Sequence, residues 1–590
     1  MTVLELLWNL ITGKTEDISK VQYFPQKPEF LVKETKQAFE RTTPEEQGIE
    51  SKRITKLLKA LAEGKHTHMH QIMILRNGKV ITECGFAPYR TNVWHASYSL
   101  CKSITGLAVG MLIDEGKLHL NDRILDIFKK RKNFMSLIRH RDITVEHLLM
   151  MSSGVAFNES GAISGNEWVK SFFDSSTNFP PGTKFEYNSM NSYMLSAIIS
   201  ELTDQTMMEY LSSRLWEPLG IEQVFWETCP QGITKGGWGL FLCPEDAAKI
   251  GQLLLQDGVW RGRRLISSEW IKKATSSRID VPKEMGFDGY GYQVWMGERP
   301  GSFVFNGMLG QNVLVYPDLD MVIVTNAGNS ILFQHCQMLD LIHDYFPKDY
   351  LPKDYLPEAK NDQKVLAKTI DNIEHPPRIH VWKDGWKQWK KNRSITTETQ
   401  KLCHQLDRKT YYLNSGHVGL FPLALQVFHN NYTDGIDKIS FLMEDDIFYI
   451  CFHEGDWLHK VETGLLAYRE NQLNFHEEFY LTAVRAEAAR DEDDQVVLKV
   501  EIAFLEDAAK RRCKMFFDDT FERVEIRWDE APGKAMIYDG LESITTPLKD
   551  NPVFHSLKDK GVGDIMLTLL DRTIQPVTHG ILKKEEGEEI

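Results

Sequence analysis

The chain has 590 residues, too many for one ordinary domain and enough for about two to four. It is 42% hydrophobic, 26% charged and 11% aromatic, a soluble globular composition that excludes disorder or coiled coil for its bulk. With 69 basic residues against 83 acidic, the net charge of −14 speaks against neutralising phosphates, and nucleic acid is not an expected partner.

Residues 1–13 place Val3, Leu4, Leu7, Leu10 and Ile11 on one helical face, with Gly13 as a C-cap. They carry no basic leader region, and Glu5 and Asn9 interrupt the apolar stretch, so an amphipathic helix is expected rather than a secretion signal. Residues 14–44 read as an arm. A hairpin follows from Met69 to Phe86, its two β-rich runs joined through Asn77-Gly78. A helical stretch runs from Ser99 to Asp114 and ends at Gly116; a second helix starts after Thr144, a cap with Glu146 nearby. Pro180-Pro181-Gly182 precedes a loop that runs into another apolar-periodic helix, and helices are expected at 245–256 and 265–276. Strand patterns return between Gly289 and Ala327. Strands at both ends with helices between them predict one sheet assembled from distant parts of the chain. A helix from Met338 to Phe346 closes this region.

The tandem PKDYLPKDYLP, Pro347–Pro357, reads as a stiff linker. From about residue 400 the texture changes to short alternating runs: KISFLME, IFYICFHE, LLAYRE, EFYLTAVRAEA, VVLKVEIAFL, CKMFFDD and RVEIRW. They predict a small antiparallel barrel or sandwich. The expected division is therefore 1–44, 45–346, 347–400 and 401–590. No run reaches the roughly 18 apolar residues of a membrane span, so no span is expected. Eight scattered cysteines form no C-x-x-C pair, which fits buried thiols in a reducing, cytoplasmic setting.

Chemistry concentrates at Ser99-Leu100-Cys101-Lys102. The i, i+3 spacing puts the hydroxyl and the amine on one face of a helical turn. A serine hydroxyl needs a neighbouring base before it attacks, and a desolvated lysine at a helix start can be that base. Cys101, between them, turns away and reads as core. His66, His68 and His70 alternate along a strand entry, and His453, Glu454, Asp456 and His459 cluster at a hairpin. Neither group has the partners or spacing of a metal site, and no metal or cofactor is expected. The glycine clusters 236–239 and 289–292 do not sit between a strand and a helix start, so neither reads as a phosphate loop. G-x-S-x-G is absent, which removes the α/β-hydrolase fold.

The order of segments KSITGLAVGMLIDEGKLHLNDRILDIF, ITVEHLLMMSSG, PPGTKFEYNSMNSYMLSAIISELT, GGWGLFLCPEDAAKIGQLLLQ and FNGMLGQNVLVYPDLDMVIVTN resembles the serine hydrolase family of class C β-lactamases, esterases, D-aminopeptidases and nylon-oligomer hydrolases. The resemblance covers roughly 45–350. It implies an α+β fold, an antiparallel sheet flanked by helices, with Ser99 as nucleophile, Lys102 as its partner and Tyr187 as the tyrosine of Y-x-N. The third motif aligns with Phe305-Asn306-Gly307, which implies an oxyanion hole from the backbone N–H groups of Ser99 and Met308. Ser189 replaces the usual asparagine, and Phe305 replaces the cationic or imidazole residue. Ser189, Phe305, Asn306, Gly307 and Gln311 are the pocket candidates. Some members carry a lipocalin-like barrel after the catalytic domain, and 401–590 resembles it. The implied function is hydrolysis of a small-molecule ester or amide through an acyl-enzyme on Ser99. A D-aminopeptidase, peptidase, weak β-lactamase or acyltransferase activity is the alternative, and a homo-oligomer is left open.

Overall fold

The structure is a computed structural model that describes residues 9, 21–131, 134–330, 337–376, 385–414, 418–533 and 573–583. The expected N-terminal helix and the charged tail after Lys583 lie outside the described residues. The chain divides into two compact units, Gln26–His375 and a second made of Pro376–Ile590 with residues up to Pro25. The expected boundary after residue 346 falls inside the first unit.

The first unit is built on a seven-stranded sheet. Its strands are β1 (Met69–Arg76), β2 (Lys79–Gly85), β3 (Gly289–Tyr290), β4 (Trp295–Met296), β5 (Phe303–Gly307), β6 (Gln311–Tyr316) and β7 (Met321–Ala327), in the order β2-β1-β7-β6-β5-β4-β3. Every pairing is antiparallel. The first two strands close through the expected turn: Arg76 faces Lys79, and both Asn77 (φ 52°) and Gly78 (φ 71°) are left-handed, the geometry that matches the twist of a two-residue hairpin. The central strands are buried on both faces because helices cover both. Met73 and Leu75 point to one face, where α2 (Cys101–Asp114), α3 (Ser189–Thr203) and α4 (Pro244–Leu255) pack. Ile72 and Ile74 point to the other, against α1 (Ser51–Glu63), α5 (Gln337–Tyr345) and α6 (Lys360–Glu374). In α1 the buried Ile54, Leu57, Leu58 and Leu61 form a single stripe, each side chain worth about 1.5–3 kcal/mol of burial.

The proline repeat and α6 hold to this unit. Arg299, almost wholly buried, donates to Asp318 at 2.5 Å and to the carbonyls of Phe346, Pro347 and Tyr350. Leu356 N donates to Glu45 O, and Gln363 Nε2 reaches Glu45 Oε2 at 3.0 Å. The cap at Thr144 forms, with His147 as its partner instead of Glu146: Thr144 accepts from His147 N, and His147 Nδ1 accepts from Thr144 N. The imidazole at the third helical position reaches back as a glutamate would.

The second unit is a closed barrel of nine strands with one strand more beside it. Its strands are β8 (Thr410–Leu413), β9 (Ile436–Glu444), β10 (Ile447–Glu454), β11 (Trp457–Leu465), β12 (Arg469–Phe475), β13 (Glu478–Arg490), β14 (Val496–Phe504), β15 (Lys510–Phe517), β16 (Arg523–Ala531) and β17 (Val577–Leu582). They follow the order β11-β10-β9-β8-β17-β16-β15-β14-β13-β12, and a parallel contact of β11 with β13 closes the ring. The run LLAYRE, expected as one strand, is the end of β11, a turn at Leu466 (φ 68°) and the start of β12. Aromatic rings fill the interior: Phe421 lies 4.8 Å from Phe475, 5.0 Å from Tyr480 and 5.7 Å from Phe504. Leu402, Cys403 and Leu406, at the end of the helix Gly385–Leu406, join this core.

Among the described residues no helix is long and apolar enough to cross a membrane, and no group of three metal-ligating side chains converges. His70 instead meets His95 at 2.9 Å in the core, and His459 pairs with Glu454 at 3.0 Å across the β10–β11 hairpin.

Candidate active site

The strand pair His95–Ala96 hands the chain to a 3-10 turn, Tyr98–Leu100, and only then to α2. Ser99 therefore sits ahead of the α-helix and not inside it. Ser97 N is anchored to Leu240 O, and Tyr98 takes a left-handed φ of 47° although it carries a bulky ring. That is a costly conformation for a non-glycine residue, of order 1–3 kcal/mol, kept where the surroundings dictate it. It leaves Ser99 half-buried while its neighbours are buried. Lys102, 2% exposed, lies one turn on, and its Nζ donates to Ser99 Oγ at 2.7 Å.

The lysine has two further neighbours. It donates to Gly237 O at 2.7 Å, and Nζ stands 5.0 Å from the ring centroid of Tyr187. Among the described residues no carboxylate comes within ion-pairing distance of it. The Gly237 carbonyl is held by a loop with its own fastenings. Cys229 N bonds Ile233 O, Lys235 N bonds Glu227 O, and Lys235 Nζ meets Glu227 Oε2 at 2.6 Å in a nearly buried pair. Thr105 Oγ1 donates to Gly236 O at 2.7 Å, which fastens the loop to α2. Gly236 is left-handed (φ 68°), and a Cβ there would stand 2.8 Å from Ser192 O. A Cβ on Gly237 would stand 2.9 Å from Ser189 O. The two glycines let this loop lie directly on α3, a function that nothing in their sequence pattern announced beyond their adjacency.

Tyr187 is half-buried just before α3. Asn188 is the cap of that helix: its side chain accepts from Met190 N at 2.8 Å and donates to the carbonyls of Val155 and Phe157. Ser189 is buried, its amide donating to Glu159 at 2.9 Å and its Cβ lying against Gly237. The Tyr187 ring stacks on Trp295 at 5.6 Å. Trp295 lies in the run 289–296 expected as strand, but it was not among the expected site residues.

The end of β5 abuts the serine turn. A Cβ on Gly307 would fall 2.4 Å from Ser97 O and 3.1 Å from Leu100 N, so only glycine allows this approach. Met308, half-buried, follows at the start of a short turn in which Leu309 is left-handed (φ 65°). Gln311 clamps that turn. Its amide donates to Met308 O and Ala327 O and accepts from Ala327 N. Asn306 donates to Asn312 Oδ1 at 2.7 Å, across the β5–β6 pair. Phe305 is wholly buried among the residues under α2 and α3.

The structure thus gathers Ser99, Lys102, Tyr187, Gly307 and Met308. Phe305 and Gln311 spend their side chains on packing and on the backbone, and Asn306 on its strand partner. Cys101 is core as expected: its thiol, wholly buried, is pushed up to about 12 by desolvation. A hydroxyl in contact with a buried amine, beside a phenol and the end of a strand, is an arrangement suited to acyl transfer.

Residues 54–328 match the family described as Beta-lactamase. Among curated proteins the chain is 28% identical over 280 residues to a 6-aminohexanoate-dimer hydrolase of Paenarthrobacter ureafaciens, covering 43% of this chain and 70% of that one. It is 28% identical over 185 residues to Protein flp of Staphylococcus aureus strain N315, covering 28% of this chain and 36% of the relative, about a third of that protein's length. Among solved structures, a family VIII carboxylesterase superposes with a TM-score of 0.43 at 16% identity, covering 52% of this chain and 97% of that one.

Proposed function

We propose, for a chain whose residues 54–328 are a Beta-lactamase family domain, that the site is a serine hydrolase centre cleaving an ester or amide through an acyl-enzyme on Ser99. The observation that carries this reading is the 2.7 Å contact from Lys102 Nζ to Ser99 Oγ, with Gly237 O and the Tyr187 ring as the lysine's other neighbours. In the first step Ser99 Oγ bonds to the carbonyl carbon, and its proton passes to the Lys102–Tyr187 pair. The backbone N–H groups of Ser99 and Met308 stabilise the oxyanion; the first turn of a helix leaves such groups without internal partners. The bond to the leaving group then breaks as Tyr187 returns a proton to it. Water releases the acyl group by the reverse path. The pocket candidates are Ser189 and the backbone of Asn306-Gly307, and the catalytic part is residues 45–346, with the barrel at 401–590 as a separate unit.

The relative named as a 6-aminohexanoate-dimer hydrolase supports hydrolysis as the outcome. The test is rapid mixing with p-nitrophenyl acetate. A burst of about one p-nitrophenolate per chain, followed by slower turnover, is the expected result. Linear release without a burst, equal in Ser99→Ala, would remove the acyl-enzyme.

A further inference from the structure

Tyr187 is one edge of a larger aromatic assembly. Its ring stacks on Trp295 at 5.6 Å and 25°, and Trp295 stacks in turn on Phe287 at 4.8 Å and 28°. Tyr290 meets Trp295 edge-on at 4.7 Å, and Phe185 packs edge-on against both. Trp295 and Tyr290 are buried, whereas Phe185, Tyr187, Met285 and Phe287 are half-exposed, as are Ile279 and Val281 beside them. The outer members come from two separate stretches, the loop before α3 and the segment 275–288, so no single amphipathic element explains them. They form an apolar shelf continuous with the ring of the candidate acid.

We infer, resting on the acyl-enzyme reading above, that this shelf is the leaving-group subsite and takes the aromatic or extended apolar part of an alcohol or amine. Tyr187 hands its proton to the leaving atom, so that atom passes within hydrogen-bond reach of the phenol. The rest of the leaving group then lies where the surface continues, which is over Phe185, Met285 and Phe287, with buried Trp295 as their backing. A charged group laid on these rings and on Met285 would lose hydration against carbon. An aromatic ring gains stacking and burial together. Phe287 and Met285 are specificity-determining residues on this account; Trp295 positions Tyr187.

The test compares leaving groups of matched acidity on one acyl group: ethyl with hexyl acetate, and phenyl with 2-naphthyl acetate. In the wild type, kcat/KM rises by about tenfold or more from the smaller to the larger member of each pair. In Phe287→Ala both preferences shrink by about tenfold, and Phe287→Leu recovers part of the hexyl preference. Ratios unchanged in Phe287→Ala, or a wild type that prefers the smaller member, would overturn the proposal. Unchanged ratios with an altered oligomeric state would overturn it in favour of a second copy of the chain covering the patch. Calorimetric binding of hexyl and ethyl acetate to Ser99→Ala separates the two claims. A hexyl preference in binding supports the shelf even if the wild type turns over none of the esters, a result that would defeat the acyl-enzyme reading alone. Equal binding of both would defeat the shelf.

Discussion

Gly237→Ala tests whether the loop carbonyl holds Lys102 in place. The added Cβ would stand 2.9 Å from Ser189 O and 3.0 Å from Ser189 Cβ, closer than a methyl group tolerates. Because the obstructing atoms belong to the first turn of α3, the loop has to retreat by a few tenths of an ångström. Its carbonyl retreats with it, away from a lysine that it meets at 2.7 Å. Displacements near 1 Å cost on the order of 10²-fold in rate, so a shift of about half that size costs about tenfold in kcat. The overpacking itself costs roughly 1–3 kcal/mol of stability. Gly232→Ala is the control. It lies in the same loop, and its left-handed φ of 79° puts a penalty of about 1–2 kcal/mol on alanine, but nothing lies within 4 Å of the new Cβ. Both variants lose similar stability in urea, followed by tryptophan fluorescence, and only Gly237→Ala loses turnover of p-nitrophenyl acetate. Equal kcat in the two variants would refute the positioning of Lys102 by this loop.

Three further outcomes follow from the same geometry. Tyr187→Phe keeps the stack on Trp295 but removes the proton donor, and kcat/KM falls by about 10²–10⁴ with little change in melting temperature. Arg299→Met leaves Asp318 and three carbonyls without their donor and costs about 3–5 kcal/mol, read by urea denaturation, with the 347–350 strap becoming the first site of limited proteolysis. His140, buried between Phe172 and Phe173, has its imidazole lowered to about 4 by desolvation and by the Arg139 charge. A lowered histidine binds fewer protons folded than unfolded, so its contribution is present above about 6.5 and is lost as the pH falls towards 4. Denaturation midpoints between pH 7 and 5 fall less steeply in His140→Phe than in the wild type.

Much of this was legible in the sequence because the signals are local. Asn77-Gly78 dictates its turn, the 54/57/58/61 stripe its helix, and S-x-x-K the contact of Ser99 with Lys102, since a three-residue spacing fixes which side chains share a face. What escaped depends on distant pairing. Gly237 accepts from Lys102 across 135 residues, and Trp295, in a run expected as strand, meets the Tyr187 ring from a distant part of the chain. Gln311 and Phe305 looked like pocket residues by alignment with the motif. Their fate was decided by the sheet, which turns Phe305 into the core and gives Gln311 two backbone carbonyls to hold. In the barrel, alternation disclosed six strands, β9, β10 and β13 to β16, while the seventh run, LLAYRE, spans a turn. The pairing of β8 with β17, Tyr411 opposite Leu582, and the β11–β13 contact that closes the ring join distant residues that no short window contains.

The most direct measurement of the central claim is intact-protein mass spectrometry of the wild type and Ser99→Ala after mixing with p-nitrophenyl acetate at a pH that slows deacylation. The account predicts one acetyl group on the wild type, mapped to the peptide containing Ser99, and none on the variant. An adduct on both proteins, or wild-type turnover that persists in Ser99→Ala, would contradict it.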